Sequence, residues 1–262
     1  MFAVTSLARV ATTALLDELA TTPKPGLVDL DHRGAHRDLC LDRLRTSAHA
    51  LEPFFAEIAA CARDASPSLA LREEIGHLGR IGEGAMLRAS GGTNTHRGAL
   101  WSLGLLVAAT AAAGTRDAHA IAARVAAFAS LPDRFRGDAP SNGRSVARRF
   151  GTRGARGEAE SGLPNVIGLA MPLLRAGAPR ADVLLALLER VDDTCMLHRS
   201  SAQTLAIARR QARHALALGG TRSTAGLRAT RRLDAFLVAH NASPGGCADL
   251  LAAACFLDAV AV

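Results

Sequence analysis

Gly91-Gly92-Thr93-Asn94-Thr95-His96-Arg97-Gly98 runs directly into the apolar stretch Ala99 to Ala113. The apolar half is built from Ala, Leu, Val and Gly without polar alternation and reads as a buried helix starting at His96. The polar half is a glycine-opened loop ending in a histidine and an arginine. Exposed N–H groups at a helix start, the positive end of the helix dipole and an adjacent cation suit an anion such as phosphate. A plain turn with a helix cap explains the same string, because Gly, Thr and Asn favour turns and caps.

Working outward, the chain reads as a succession of helices. Leu7 to Leu19 is apolar at helical spacing and stops at Thr22-Pro23-Lys24-Pro25-Gly26, which cannot continue a helix. Asp38 is placed to cap a second helix reaching Ala62. A third runs from Ser66-Pro67 to Arg88, and another spans Asp117 to Ala129. Residues 133–162 read as a mostly irregular, polar stretch with one short helix at Ser145 to Phe150. Leu163–Arg175, Ala181–Asp192, Ser200–Leu218, Leu227–Ala239 and Gly246–Ala261 follow. The expectation is one all-α domain over residues 1–262, of roughly ten packed helices, with functional loops converging on one cleft. Composition agrees: 49% of residues are hydrophobic, with only eight Phe, one Trp and no Tyr.

The net charge of +7 leaves a nucleic-acid-binding helical protein open. The arginines, however, form no basic block and have almost no aromatics beside them for base stacking. A non-catalytic helical interaction protein is a further alternative. No apolar run reaches the roughly 20 residues of a membrane span. Met1 to Arg9 lack a basic signal-peptide start. Cys40, Cys61, Cys195, Cys247 and Cys255 form no CxxC pair and read as small core residues in a reducing compartment, so a cytoplasmic protein is expected. There is no HExxH, no P-loop and no GxGxxG.

Four other stretches share the style of the Gly91 loop. They are Thr21-Thr22-Pro23-Lys24-Pro25-Gly26-Leu27-Val28-Asp29, the segment Gly151 to Gly162, Asp193-Thr194-Cys195-Met196-Leu197-His198-Arg199, and Ser243-Pro244-Gly245-Gly246-Cys247-Ala248-Asp249. In this order and spacing the five motifs resemble the triphosphoribosyl-dephospho-coenzyme A synthases, from about Leu15 to Leu257. His32-Arg33-Gly34-Ala35-His36-Arg37-Asp38 also resembles a string of that family. Cys195 departs from the resembled pattern, in which Asn can follow Asp-Thr.

The resemblance implies site residues beside their ordinary structural readings. Lys24, His36, Thr93, Asn94, His96, Arg97, Arg153, Arg199, Gly245 and Gly246 become candidates for binding ATP and its phosphates. Asp29, Glu158 and Asp193 become candidates for catalysis, and Glu83, Glu158 and Asp193 for Mg2+. Read structurally, Lys24 is a solvated lysine in a helix-ending turn, Glu83 a surface carboxylate, and Arg153 to Glu160 a solvated loop. Asp193 and Asp249 are then acids placed at helix starts.

The implied reaction joins ATP to 3′-dephospho-coenzyme A. A ribose 2′-hydroxyl attacks C1 of the ATP ribose, adenine leaves and the triphosphate stays on the product. Such glycosyl transfer needs a base, a carboxylate near the oxocarbenium-like centre, and cations with Mg2+ for the triphosphate. The implied partners are these two substrates, a downstream phosphoribosyl-dephospho-coenzyme A transferase and its acyl carrier protein, with neither nucleic acid nor membrane. A homodimer is left open. Between the citrate lyase and malonate decarboxylase branches, the short Ala/Arg-rich chain looks more like the latter.

Overall fold

The computed structural model describes residues 4–137 and 142–262; Met1–Ala3, from the start of the Met1–Arg9 stretch, and residues 138–141 of the polar 133–162 stretch lie outside the described residues. It is all helical. The α-helices are α1 (Val4–Leu19), α2 (Leu41–Ala62), α3 (Leu69–Ala89), α4 (Arg97–Ala113), α5 (Ala118–Ser130), α6 (Asn142–Phe150) and α7 (Gly154–Glu160). A π-helical turn, Val166–Ala170, leads into α8 (Met171–Arg175). There follow α9 (Arg180–Arg190), α10 (Thr194–Arg199), α11 (Ala202–Ala217), a 3-10 turn at Gly220–Arg222, α12 (Thr224–Ala239) and α13 (Gly245–Val260).

Thirteen α-helices among the described residues replace the expected ten or so. The excess comes largely from short helices of six or seven residues, α7 and α10, in segments read as loop or junction. Their Gly, Arg and Asp content hides the periodicity that marks longer helices. One expected boundary also moves. The N-cap of α2 is Cys40, which makes no side-chain capping bond, and not Asp38. At α3, α5, α11 and α12 the caps are side-chain oxygens on backbone N–H groups: Ser68 on Leu71, Asp117 on Ala120, Ser201 on Thr204 and Ser223 on Gly226.

α4 and α13 form the centre. Both are apolar on nearly every face, and both are buried over most of their length. A helix apolar all round can be stable only inside other helices. α13 packs against α1, α4, α8 and α9; α4 also packs against α2 and α5. Alanines predominate at these crossings, so side chains as small as Ala108, Ala109, Ala252 and Ala253 are fully enclosed. The amphipathic helices α2 and α9 lay their apolar stripes on this pair, α11 packs on α9, and α12 packs on α11. Among the described residues no single helix is long and apolar enough to cross a membrane; α4 and α5 pass that test only as a pair bent by 117°.

Central packing predicts a graded response to truncation. Leu251 on α13 is fully enclosed, so Leu251→Ala should cost about 2–5 kcal/mol through lost burial and the cavity left behind. Val238 on α12 is 42% exposed, so Val238→Ala should stay within about 0.5 kcal/mol. Urea unfolding midpoints of the two variants measure both.

Candidate functional site

The N-terminal ends of α4, α10 and α13 meet, and two aspartates join them. Asp193 is the N-cap of α10. Its Oδ1 accepts from the N–H groups of Cys195 at 2.8 Å and Met196 at 3.0 Å. Its Oδ2 accepts from the N–H of Cys247, in the first turn of α13, at 2.9 Å. One carboxylate therefore satisfies donors at two helix starts. The side chain is buried, and desolvation pushes its pKa up while the three amides pull the other way. Asp249 plays a related part for α4 and accepts from the Ala99 N–H. Gly98 is required there, because a Cβ would collide with the Asp249 carboxylate. At Gly246 a Cβ would come within 3.0 Å of Asp193 Oδ2.

The segment between α1 and α2 closes one side. Asp29 accepts from three backbone N–H groups, those of Lys24, Asp31 and His32. It is buried and holds the loop in shape. Gly26 has φ +73°, and a Cβ would lie 2.6 Å from the Ala242 carbonyl oxygen, so the loop can seat against the α12–α13 connection only with glycine here. Its N–H donates to Asp234 of α12 at 2.9 Å. His36 Nε2 meets Ser243 Oγ at 2.8 Å. Arg199 donates to the Ala35 carbonyl at 2.7 Å and to the Asn241 side-chain oxygen at 2.8 Å.

Lys24 is the chain's one lysine among thirty arginines, and it is buried. Its ammonium donates to Glu18 Oε1, on α1, at 2.6 Å. A compact ammonium fits where a planar guanidinium does not. His96, the N-cap of α4, is also buried. Its Nδ1 meets Ser47 Oγ at 2.8 Å, and that hydroxyl can donate to the Leu44 carbonyl. Its Nε2 has no partner among the described residues. Burial first, and the Lys24 charge second, lower the His96 pKa to about 3, so the ring is neutral at pH 7. His36 is likewise lowered to about 4 by burial and by Arg199.

The remaining candidates lie on or beside this meeting point. Asn94 uses its side-chain oxygen to accept from the Arg97 N–H at 3.2 Å, and Thr93 Oγ1 is 3.5 Å from Arg43. Arg97 pairs with Glu83, with both partly exposed. Arg153 precedes α7, is 67% exposed and contacts Glu160 at 3.2 Å. A Cβ on the next residue, Gly154, would lie 3.0 Å from Thr194 at the start of α10, which brings this segment to the same place. Glu158 turns away from it and accepts from the backbone and side-chain nitrogens of Asn165 at 2.7 and 2.8 Å. Gly245 and Gly246 pack on Cys195 and Asp193.

All five sequence motifs thus converge. Glu83, Glu158 and Asp193 each have separate partners, and among the described residues no group of three or more His, Cys, Asp or Glu is arranged to hold a metal ion. Glu18 and Asp234 escaped the sequence reading, because each interrupts an otherwise ordinary helix. The clue to Glu18 is its helical spacing from Ala11, Ala14 and Leu15, which puts it on the apolar face of the first helix.

The capping arrangement predicts a contrast. Asp193→Ala should cost at least about 3 kcal/mol, because it strands three amide N–H groups, two of them inside the protein, at about 1–3 kcal/mol each. Asp117→Ala removes an exposed cap from α5 and should cost about 1 kcal/mol. Chemical denaturation of both variants reads the difference.

Residues 4–262 match the CitG family model, ATP:dephospho-CoA triphosphoribosyl transferase. The chain is 46% identical to 2-(5''-triphosphoribosyl)-3'-dephosphocoenzyme-A synthase of Klebsiella pneumoniae, over 98% of this chain and 95% of that protein. It is 48% identical to a probable enzyme of the same name from Pseudomonas paraeruginosa, covering 96% and 89%, and 47% identical to one from Azotobacter vinelandii, covering 96% and 90%. No solved structure gives a significant match. The chain belongs to the ATP:dephospho-CoA triphosphoribosyl transferase family.

Proposed function

We propose that the protein, as a member of this family, joins ATP to 3′-dephospho-coenzyme A and releases adenine. The observation that carries the reading is the convergence of five distant motifs on three helix N-termini, in a chain similar to named synthases over nearly its whole length. Arg97 and Arg153, at 45% and 67% exposure, stand where a triphosphate arriving from solvent can reach them. Arg199 is half-buried and orders the loop wall. Lys24, His36 and His96 lie beneath and fix the shape of that wall, with both histidines neutral.

Mg2+ enters in this reading as MgATP, coordinated chiefly by phosphate oxygens, which is how the ion commonly binds. The product feeds a transferase that loads an acyl carrier protein, and we favour the malonate decarboxylase branch over citrate lyase from the chain's composition. The setting would be the cytoplasm, where ATP and coenzyme A precursors occur.

The direct test is incubation with ATP, Mg2+ and 3′-dephospho-coenzyme A, followed by chromatography of the bases and nucleotides. Free adenine without ADP is expected. ADP or AMP without adenine would mean phosphoryl or nucleotidyl transfer and would overturn the reading.

Arg153→Ala tests the phosphate wall. The side chain is exposed, so the melting temperature should hold. Activity should fall about 10- to 150-fold, the worth of one charge-assisted contact of ~1.5–3 kcal/mol. Arg153→Lys should restore only part, since the ammonium lacks the planar fork. Arg213→Ala, which removes an equally exposed arginine paired with Glu189, should change neither property.

A further inference from the structure

We infer that Asp249 is the general base that takes the proton from the attacking ribose hydroxyl, an assignment that rests on the glycosyl-transfer reading above. The other carboxylates near the meeting point are already engaged. Asp193 and Asp29 each spend both oxygens on three backbone N–H groups. Glu18 is buried against Lys24, Glu158 is held by Asn165 and Glu83 by Arg97. Asp234 binds the Gly26 N–H with one oxygen and faces His32 with the other at 3.2 Å.

Asp249 differs from all of these. It stands at the junction of α4 and α13, takes the Ala99 N–H, and keeps partial exposure to solvent. Gly98 leaves the space that its carboxylate occupies. Three residues before Ala99, the buried Nε2 of His96 has no partner among the described residues. With Ser47 fixing Nδ1, that nitrogen is free for a polar ligand group.

The charged groups around Asp249 favour a base. Glu18 on α1 and Asp193 at the start of α10 are like charges, and Cys195 faces it from α10 as a thiol. Lys24 is committed to Glu18. Desolvation, then Asp193, then Glu18 push the Asp249 pKa well above the ordinary carboxylate value, which makes it a stronger proton acceptor. The hydroxyl proton passes to an Asp249 oxygen as O2′ bonds to C1 of the ATP ribose. The C1–N9 electron pair leaves with adenine. Asp249 returns its proton, directly or through water, to adenine, and the carboxylate is regenerated.

Asp249→Asn keeps an oxygen for the Ala99 N–H but removes the base. Adenine release should fall about 100-fold or more. The melting temperature should hold or rise, because a desolvated negative charge beside two others is gone. The upward melting shift given by MgATP alone should persist. The acid limb of the wild-type kcat/KM profile, on which activity is lost as pH falls and the base is protonated, should vanish from the residual activity. If Asp249→Asn shows no cooperative unfolding, Asp249→Ser, whose hydroxyl also accepts from an N–H, is judged by the same criteria. Activity within about threefold of wild type, or a loss accompanied by a lower melting temperature and no MgATP shift, overturns the assignment and leaves Asp249 as a helix cap. Wild-type protein that releases no adenine would instead bring down the reaction reading itself.

Discussion

One carboxylate, that of Asp193, ties together helix starts that are otherwise far apart in the chain. α10 begins at Thr194 and α13 at Gly245, yet Oδ1 and Oδ2 of Asp193 take donors from both. α13 is one of the two apolar helices around which the others pack, so fixing its N-terminus fixes the end of the core. Gly245 and Gly246 follow from that contact, since side chains there would press on Cys195 and Asp193. The thiol of Cys195 is half-buried at this crowded point and packs where an amide would need further hydrogen-bond partners.

The Lys24–Glu18 pair is a second constraint. Burying two charges costs several kcal/mol each before their attraction offsets it, so such a pair is weak evidence of stabilisation. Its value lies in position. It fastens the loop after α1 to the helix that precedes it, while Asp29, Gly26 and Arg199 fasten the same loop to itself and to the α12–α13 connection. Among thirty arginines, a lone lysine at this spot indicates that the space beside Glu18 admits only a slender cation.

Much of this was legible in the sequence. The runs behind α1, α9, α11 and α12 carry their periodicity openly, those behind α4 and α13 show as continuous apolar stretches, and Gly and Pro mark many of the ends. The five polar motifs pointed to loops that do converge. What stayed hidden was which side chains support the site from within. Asp29 and Asp193 stand out in the sequence as lone acids in polar loops, and only the fold shows that each accepts from three backbone amides. Glu18 sits in a helix whose other charges face solvent, and only the approach of Lys24 gives it a task. Short helices such as α7 and α10 were masked because six or seven residues cannot display a stable period.

Charge is layered in a way that separates two chemical demands. Arginines stand outermost, each countered by a partly exposed carboxylate: Arg97 by Glu83, Arg153 by Glu160. Such exposed pairs hold together by about 1 kcal/mol or less, so a polyphosphate can displace the carboxylate at little cost. Inside lie neutral histidines and desolvated aspartates, and the positive helix ends there are already matched by Asp193 and Asp249. A second anion placed at that depth would be repelled. Sugar hydroxyls and an oxocarbenium-like centre would not, because carboxylates attract both. On the proposed reaction, the rim therefore suits the triphosphate and the interior suits the ribose.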